Sequence, residues 1–433
     1  MFHFAVIAPP FMSHVRALEA LAGELMDRGH RVSWVHMVDV RQLLRDRRTG
    51  FAAVGAASHA PGSLARLVAR AARPGGPIGI ARVIRDVAEC TDMLCREAPA
   101  LLRRLQVDAV LADQMEAAGG LVARALGLPF VSVACALPIN REPRVPLPVM
   151  PWSWAADERG LHLNRHSERV YDWMMRRHAR VIEHHARSLG LAPHRSLEDC
   201  LSPLAQVSQT VAAFDFPRSA VPPHLHHVGP LRSPAETAAS WPAQWQPPSG
   251  VPFVFASLGT LQGGRLTLLR RIAQACRAEG VAVLMAHCDR LDATQAAALT
   301  AAGATWVTGF APQQEAIARA AVVITHAGLN TVMDALQAGK PMLLLPIAFD
   351  QPGVAARVAH AGAGLRVLPA LATVASLRSA LRQLLSDPAF GQRAGALGMH
   401  VRAAGGVRRA ADIVEMAVRT GQPVHAECEA RVS

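Results

Sequence analysis

Lysine is almost missing from this chain: Lys340 is the only one in 433 residues, so its basic side chains are nearly all arginine. Lys and Arg number 45 against 33 Asp and Glu, a net charge of +12 that is spread over both halves rather than gathered in a tail. Nucleic-acid binding is usually announced by a clustered basic patch, so no nucleic acid is expected as a partner. A mild attraction to anionic surfaces remains. Cysteine is sparse too. The seven residues are odd in number and contain no C-x-x-C spacing, which excludes a disulfide framework and a zinc site and suits the reducing cytoplasm. Long apolar runs are absent: the longest, from Ala125 to Ile139, is too short to span a bilayer and is interrupted by Gly127, Pro129 and Pro138. The opening MFHFAVIAPPF carries no basic stretch before its apolar run and reads as a first strand, not a signal peptide.

What is present is the composition of a globular enzyme, with 51% hydrophobic and 18% charged residues. Short aliphatic runs alternate with helical patterns, which predicts an α/β fold with parallel sheets. Strands are expected at Phe4–Ala8, Arg31–His36, Ala109–Ala112 and Phe130–Ala134. Between the first two, Val15, Leu18, Leu21, Ala22 and Leu25 form one helical stripe that Gly29 ends. A Pro-rich stretch at 229–250 reads as an interdomain linker. It separates a domain at 1–228 from a second α/β series at 251–405, with strands expected at Phe253–Ser257, Val281–Ala286, Thr305–Val307, Val322–Thr325 and Met342–Pro346. Residues 406–433 are expected as a helix and tail packing back on the first domain. Two doubly wound halves then face each other across a cleft, with ligands beyond the carboxyl ends of the strands.

The most informative block runs from Gly309 to Gly353, GFAPQQEAIARAAVVITHAGLNTVMDALQAGKPMLLLPIAFDQPG. In it a buried strand turns directly through His326-Ala-Gly-Leu-Asn-Thr into a helix. Free N–H groups and about half a positive charge at that helix N-terminus suit a diphosphate, and Gly328 permits close approach. Asn330 and Asp334 share a helical face, so a carboxylate can reach a sugar diol while Asn330 and Thr331 stay near the phosphates. Asp350 and Gln351 offer a carboxylate and an amide for hexose hydroxyls after the next strand.

This block resembles the donor-binding signature of the UDP-dependent glycosyltransferases of family 1, which have the GT-B fold. The resemblance implies that Phe310 and Gln313 hold the uracil, Asp334 the ribose, His326, Asn330 and Thr331 the phosphates, and Asp350 and Gln351 the hexose, with Ala311, Gly328 and Leu329 also among the donor-binding residues. Ser257-Leu-Gly-Thr260 is similar to the family's phosphate-side loop, which adds Ser257, Gly259 and Thr260. Phe310 and Leu329 stand where plant members carry Trp, and Asp334 stands where Glu is commoner.

Transfer to an alcohol needs a base, and histidine serves near neutral pH. His14 follows the first strand and Asp113 ends the strand VDAVLAD, where a carboxylate would hold one imidazole nitrogen and leave the other for the acceptor. The pair is similar to the family's catalytic dyad and implies inversion in a single displacement. No cofactor and no metal are expected, since UDP-glucose is a co-substrate and no D-x-D pair is present. The segments APPFMSHVRALEALAGELMDRGHRV and VLADQMEAAGGLVARALGLPFVSVACALPIN resemble the carotenoid glucosyltransferases of that family, whose acceptor is zeaxanthin, a long apolar diol. Other apolar alcohols (a sterol or a polyketide) are the alternative acceptors, and a non-catalytic nucleotide-sugar-binding protein is the alternative from another class. SLARLVARAAR, at 63–73, sets Arg66, Arg70 and Arg73 opposite Leu64, Leu67, Val68 and Ala71, a helix suited to an anionic bilayer and so to a peripheral membrane location. The histidines from His162 to His227 read as surface residues.

Overall fold

Strands buried on both faces need no polar alternation, and the short apolar runs supply such strands. In a computed structural model that describes residues 1–233 and 241–426, seven of them form one sheet: β1 (His3–Ile7), β2 (Arg31–Met37), β3 (Gly50–Val54), β4 (Ala109–Asp113), β5 (Phe130–Ala134), β6 (Gln206–Ser208) and β7 (Leu225–His227). Their order is β3-β2-β1-β4-β5-β6-β7. Six more, β8 (Phe253–Ser257), β9 (Ala282–Ala286), β10 (Trp306–Thr308), β11 (Val322–Thr325), β12 (Met342–Leu344) and β13 (Gly364–Arg366), form a second sheet in the order β10-β9-β8-β11-β12-β13. All pairings are parallel. The order reverses at β1/β4 in one sheet and at β8/β11 in the other, and those crevices are where an open α/β sheet holds ligands. Sequence patterning misses β3, β6, β7 and β13; three of these have only three residues, too few for a period to register.

The first sheet is covered by α1 (Met12–Asp27), α2 (Ser63–Ala72), α3 (Gly76–Leu105), α4 (Ala117–Leu126) and α5 (Glu158–Ser188). The predicted stripe of α1 is fully buried. The helix Gly406–Thr420 packs its Ala411, Val414 and Ala417 into the same core, and Arg28 of the α1 C-cap reaches its Asp412 at 2.6 Å and Glu415 at 3.0 Å. Residues 427–433 of the expected tail lie outside the described residues. So do 234–240 of the expected linker. Its first described part, 229–233, is packed, with Leu231 buried in the first core, and Trp241 meets Phe253 edge-on at 5.7 Å, whereas most of 243–250 is exposed.

The lobes are locked together by buried charge. Arg357 of the helix Gln351–His360 is 1% exposed and donates to Asp215 at 2.6 Å, while Arg218 holds the other oxygen of Asp215 at 2.6 Å. Gly353, on the same helix, lies so close to the other lobe that a Cβ would sit 2.0 Å from the Pro148 carbonyl oxygen. This contact fixes the loop before that helix, which carries Asp350, against the first domain.

Two expectations change here. The apolar face of α2 is turned inward, with Leu64, Leu67 and Ala71 buried, and Arg70 is paired with Asp86 at 2.6 Å, so this helix has no apolar face to offer a bilayer. His178, His185 and His226 are buried, not superficial: His178 and His185 face α3, where His185 bonds Asp92 at 2.8 Å, and His226 bonds the Val424 carbonyl at 2.9 Å. No helix among the described residues is long and apolar enough to cross a membrane.

Candidate active site

A strand-to-helix junction puts His14 in the first turn of α1, directly beyond β1, and Asp113 closes the adjacent β4. His14 Nδ1 lies 2.7 Å from Asp113 Oδ2. The second Asp113 oxygen accepts the Met115 N–H at 2.8 Å, so both oxygens of a carboxylate with no exposed side-chain surface are satisfied. Burial pulls the His14 pKa down, but the charge and hydrogen bond of Asp113, with the charge of Asp350 added, outweigh it and raise the pKa. With Asp113 accepting at Nδ1, the proton sits there and Nε2 is left as the basic nitrogen. Cys135 closes the group: its sulfur lies 3.9 Å from the His14 carbonyl oxygen, and burial pushes its thiol well above the usual range. His14, Asp113 and Cys135 have ligand-type atoms within 4.8 Å of one another.

The donor-side residues gather at the carboxyl edge of the second sheet. Ser257 ends β8, and Gly259 and Thr260 open the short helix after it. His326 follows β11, and Gly328 caps the helix Leu329–Gln337. The His326 ring is wedged between two glycines: a Cβ on Gly259, whose φ is +71°, would lie 2.5 Å from its Cε1, and one on Gly328 would lie 2.6 Å away. Those glycines make room for the imidazole. Burial holds His326 down to about 4, which favours a neutral ring that meets a phosphate through an N–H group. Ala327 (φ 65°) and Phe349 (φ 58°) adopt left-handed backbone at the two turns that aim His326 and Asp350.

The cavity between the lobes has a volume of about 1690 Å³, and His14, His326, Asp334 and Asp350 all open on it. Asp350 accepts from the Leu137 N–H of the first lobe at 3.4 Å, and burial raises its carboxyl. Gln351 uses its side-chain oxygen on the backbone N–H groups of Ile347 and Ala348, at 2.8 and 2.9 Å, so only its NH₂ remains for a sugar. Gln313, expected at the base, donates its amide to Asp334 Oδ2 at 2.9 Å. Phe310 is exposed at the rim beside Ala311, and Leu329 and Thr331 are buried in the first turn of their helix. Asn330, expected at the phosphates, bridges the lobes, with its NH₂ 3.3 Å from the Ser13 carbonyl and its oxygen accepting from Gln209 at 3.2 Å.

Two residues at this site carry no sequence signal. Arg232, in the Pro-rich stretch, donates to Asp334 Oδ1 at 2.9 Å and to the Asn330 carbonyl at 2.9 Å. Gln209, fully buried after β6, accepts from Arg232 at 3.2 Å and from the Leu231 N–H at 3.2 Å. Gln114, next to Asp113, braces the loop that faces Asp350 through the Leu137 carbonyl at 2.8 Å and the Ile139 N–H at 3.3 Å.

Away from the donor loops the cavity is walled by apolar side chains, among them Leu67, Val83, Ile84, Val87, Met115 and Ile182. A buried polar cluster interrupts them. Glu116, raised by burial to about 7, accepts from Thr91 at 2.7 Å, and Thr91 in turn meets His178 at 3.0 Å.

Known proteins resemble this chain over nearly its whole length. The sequence pattern of the family described as UDP-glucoronosyl and UDP-glucosyl transferase matches residues 6–401. The zeaxanthin glucosyltransferase of Pantoea ananas is 48% identical over 424 residues, 98% of each chain. That of Pseudescherichia vulneris is 45% identical over 428 residues, covering 98% of this chain and all of the relative. Among solved structures, CalG4, the calicheamicin glycosyltransferase, superposes with a TM-score of 0.71 over 98% of this chain and 100% of its own at 22% identity, a likeness of fold.

Proposed function

The chain belongs to the UDP-glucoronosyl and UDP-glucosyl transferase family, and on that premise we propose that it moves glucose from UDP-glucose to the hydroxyl groups of zeaxanthin, first at one end and then at the other. The observation that carries this reading is the 2.7 Å His14–Asp113 pair opening on the same cavity as the donor-side loops. Its relatives named for zeaxanthin match along nearly the whole chain, acceptor half included. An apolar cavity larger than the roughly 300–1,000 Å³ of common small-molecule sites suits a long polyene beside a nucleotide sugar.

In the proposed reaction, His14 Nε2 takes the hydroxyl proton as the acceptor oxygen bonds to the anomeric carbon, while the bond from that carbon to the diphosphate oxygen breaks and UDP leaves with the electron pair. One displacement from the opposite face inverts the anomeric centre. Asp113 stabilises the imidazolium that forms. Asp350 and the NH₂ of Gln351 hold the hexose, Asp334 with Gln313 the ribose, and Phe310 with Ala311 the base. The diphosphate meets the first N–H groups of the helix Leu329–Gln337, Thr331, the neutral His326 and the Ser257–Thr260 loop. These donors meet the leaving charge without a metal or cofactor. The six described cysteines are free, which agrees with the reducing cytoplasm, where we place the enzyme.

Incubation with UDP-glucose and detergent-dispersed zeaxanthin is expected to yield UDP with mono- and diglucoside, read by mass. His14→Ala is expected to lose turnover by orders of magnitude and still bind UDP. In an acceptor panel, preference for a sterol or polyketide would overturn the carotenoid assignment, and UDP release with no glycosylated product would overturn the transferase assignment.

A further inference from the structure

The apolar surface that α2 lacks is found elsewhere. On α5, Leu163, Val170, Trp173 and Met174 are all exposed, Trp173 at 67%, and their spacing puts them on one helical stripe. Beside that stripe, separated by four and seven positions, run the exposed Arg165, Arg169, Arg176 and Arg180. Among the described residues, Arg169, Arg176 and Arg180 form no ion pair. The first turn of α3 adds exposed Ile78, at 71%, and Ile80.

These two apolar groups belong to one surface. Glu89 lies 3.9 Å from Arg177, Thr91 bonds His178 at 3.0 Å and Asp92 bonds His185 at 2.8 Å. Partner numbers rise together, so α3 and α5 run side by side in the same direction, and the start of α3 flanks the part of α5 that precedes His178. Met174 and Ile80 are both exposed and also line the cavity. The outer apolar surface is thus continuous with the wall of the acceptor space.

We propose that this face of α3 and α5 docks on an anionic lipid bilayer, with Trp173, Val170 and Ile78 entering the headgroup boundary and the arginine row meeting lipid phosphates. Charge selects the occupant. An exposed apolar stripe alone would fit a second copy of the chain or another protein, but a flanking row of unpaired arginines would repel its own copy and attracts acidic headgroups. Docked in this way, the cavity mouth opens toward the membrane, and an apolar acceptor can pass from lipid to His14 without crossing water. Docking itself requires neither donor nor acceptor, so it is tested apart from the proposed reaction.

The test is co-sedimentation of the full chain with phosphatidylcholine vesicles that do or do not contain phosphatidylglycerol. Binding is expected to the anionic vesicles only, and to weaken as salt rises. The triple variant Arg169→Gln/Arg176→Gln/Arg180→Gln is expected to bind about 100-fold more weakly, at roughly a factor of five per arginine. Val170→Ser/Trp173→Ser is expected to lose vesicle binding as well. All five positions are exposed, so UDP binding and activity on detergent-dispersed acceptor should be unchanged in both variants. Equal binding to neutral vesicles, binding to neither kind, self-association through this face in place of vesicle binding, or wild-type affinity in the triple variant would each overturn the proposal.

Discussion

Replacing Asp113 by Asn removes a charge while keeping the shape that orients His14. The native contact is 2.7 Å, with the Asp113 side chain unexposed and that of His14 14% exposed. As the acceptor proton moves to Nε2, a full imidazolium forms about 4 Å from the carboxylate charge, and at an effective dielectric near 20 this attraction is about 4 kcal/mol. The amide keeps a hydrogen-bond acceptor for Nδ1 but returns little of that energy, so kcat should fall about 1,000-fold. The Asp113 side chain contacts no donor loop, so the affinity for UDP should not move. The pH profile gives a second readout. In the wild type Asp113 and Asp350 raise His14 against burial, so the rate should climb with pH as His14 loses its proton, with a midpoint above the usual histidine value. In Asp113→Asn burial dominates and the acid limb should shift to lower pH, under a much lower plateau. The assay is kcat/KM for the acceptor from pH 5 to 9 with saturating UDP-glucose. A plateau within tenfold of the wild type and an unmoved acid limb would refute the role of the dyad.

Two further outcomes follow from the packing. Gly259→Ala places a Cβ 2.5 Å from His326 Cε1 at a φ of +71°, so the ring must move, and UDP titrated calorimetrically should bind about 10-fold more weakly, a loss near 1.4 kcal/mol; an unchanged Kd would show that the ring position is immaterial to the donor. Arg357→Met strands part of the buried Asp215 charge and should lower the calorimetric unfolding transition by the equivalent of about 3 kcal/mol. Burial pushes Asp215 up, but Arg357 and Arg218 hold it down to about 2, below its ordinary 3.8. That stabilisation is complete above the ordinary value and disappears as pH falls through the folded one, so the gap between wild type and variant should narrow from pH 4 to pH 2. A gap that stays constant across that window would locate the loss in packing.

How far the sequence could be read depended on whether the interacting groups lie close along the chain. The donor-side residues from Phe310 to Gln351 belong to one continuous helix-strand-helix-strand run, where spacing alone puts Asn330 and Asp334 on a shared face. His14 and Asp113 lie far apart in the chain, yet each follows or ends a strand of the same sheet, and parallel topology brings such positions together. Arg232 and Gln209 have no comparable signal. Arg232 sits among prolines that read as a tether, and only the folded path of residues 229–233 carries its guanidinium to Asp334. Amphipathicity has the same blind spot in reverse. The pattern SLARLVARAAR shows that α2 has an apolar face but not what covers it, and its own domain does. On α5 the exposed apolar residues are diluted by arginine and histidine over 31 residues, so the free face emerges only when α3 occupies the other side. An apolar stripe read from sequence therefore reports that something must cover it, and only the assembled lobes show whether that cover is the protein's own core or remains to be supplied from outside.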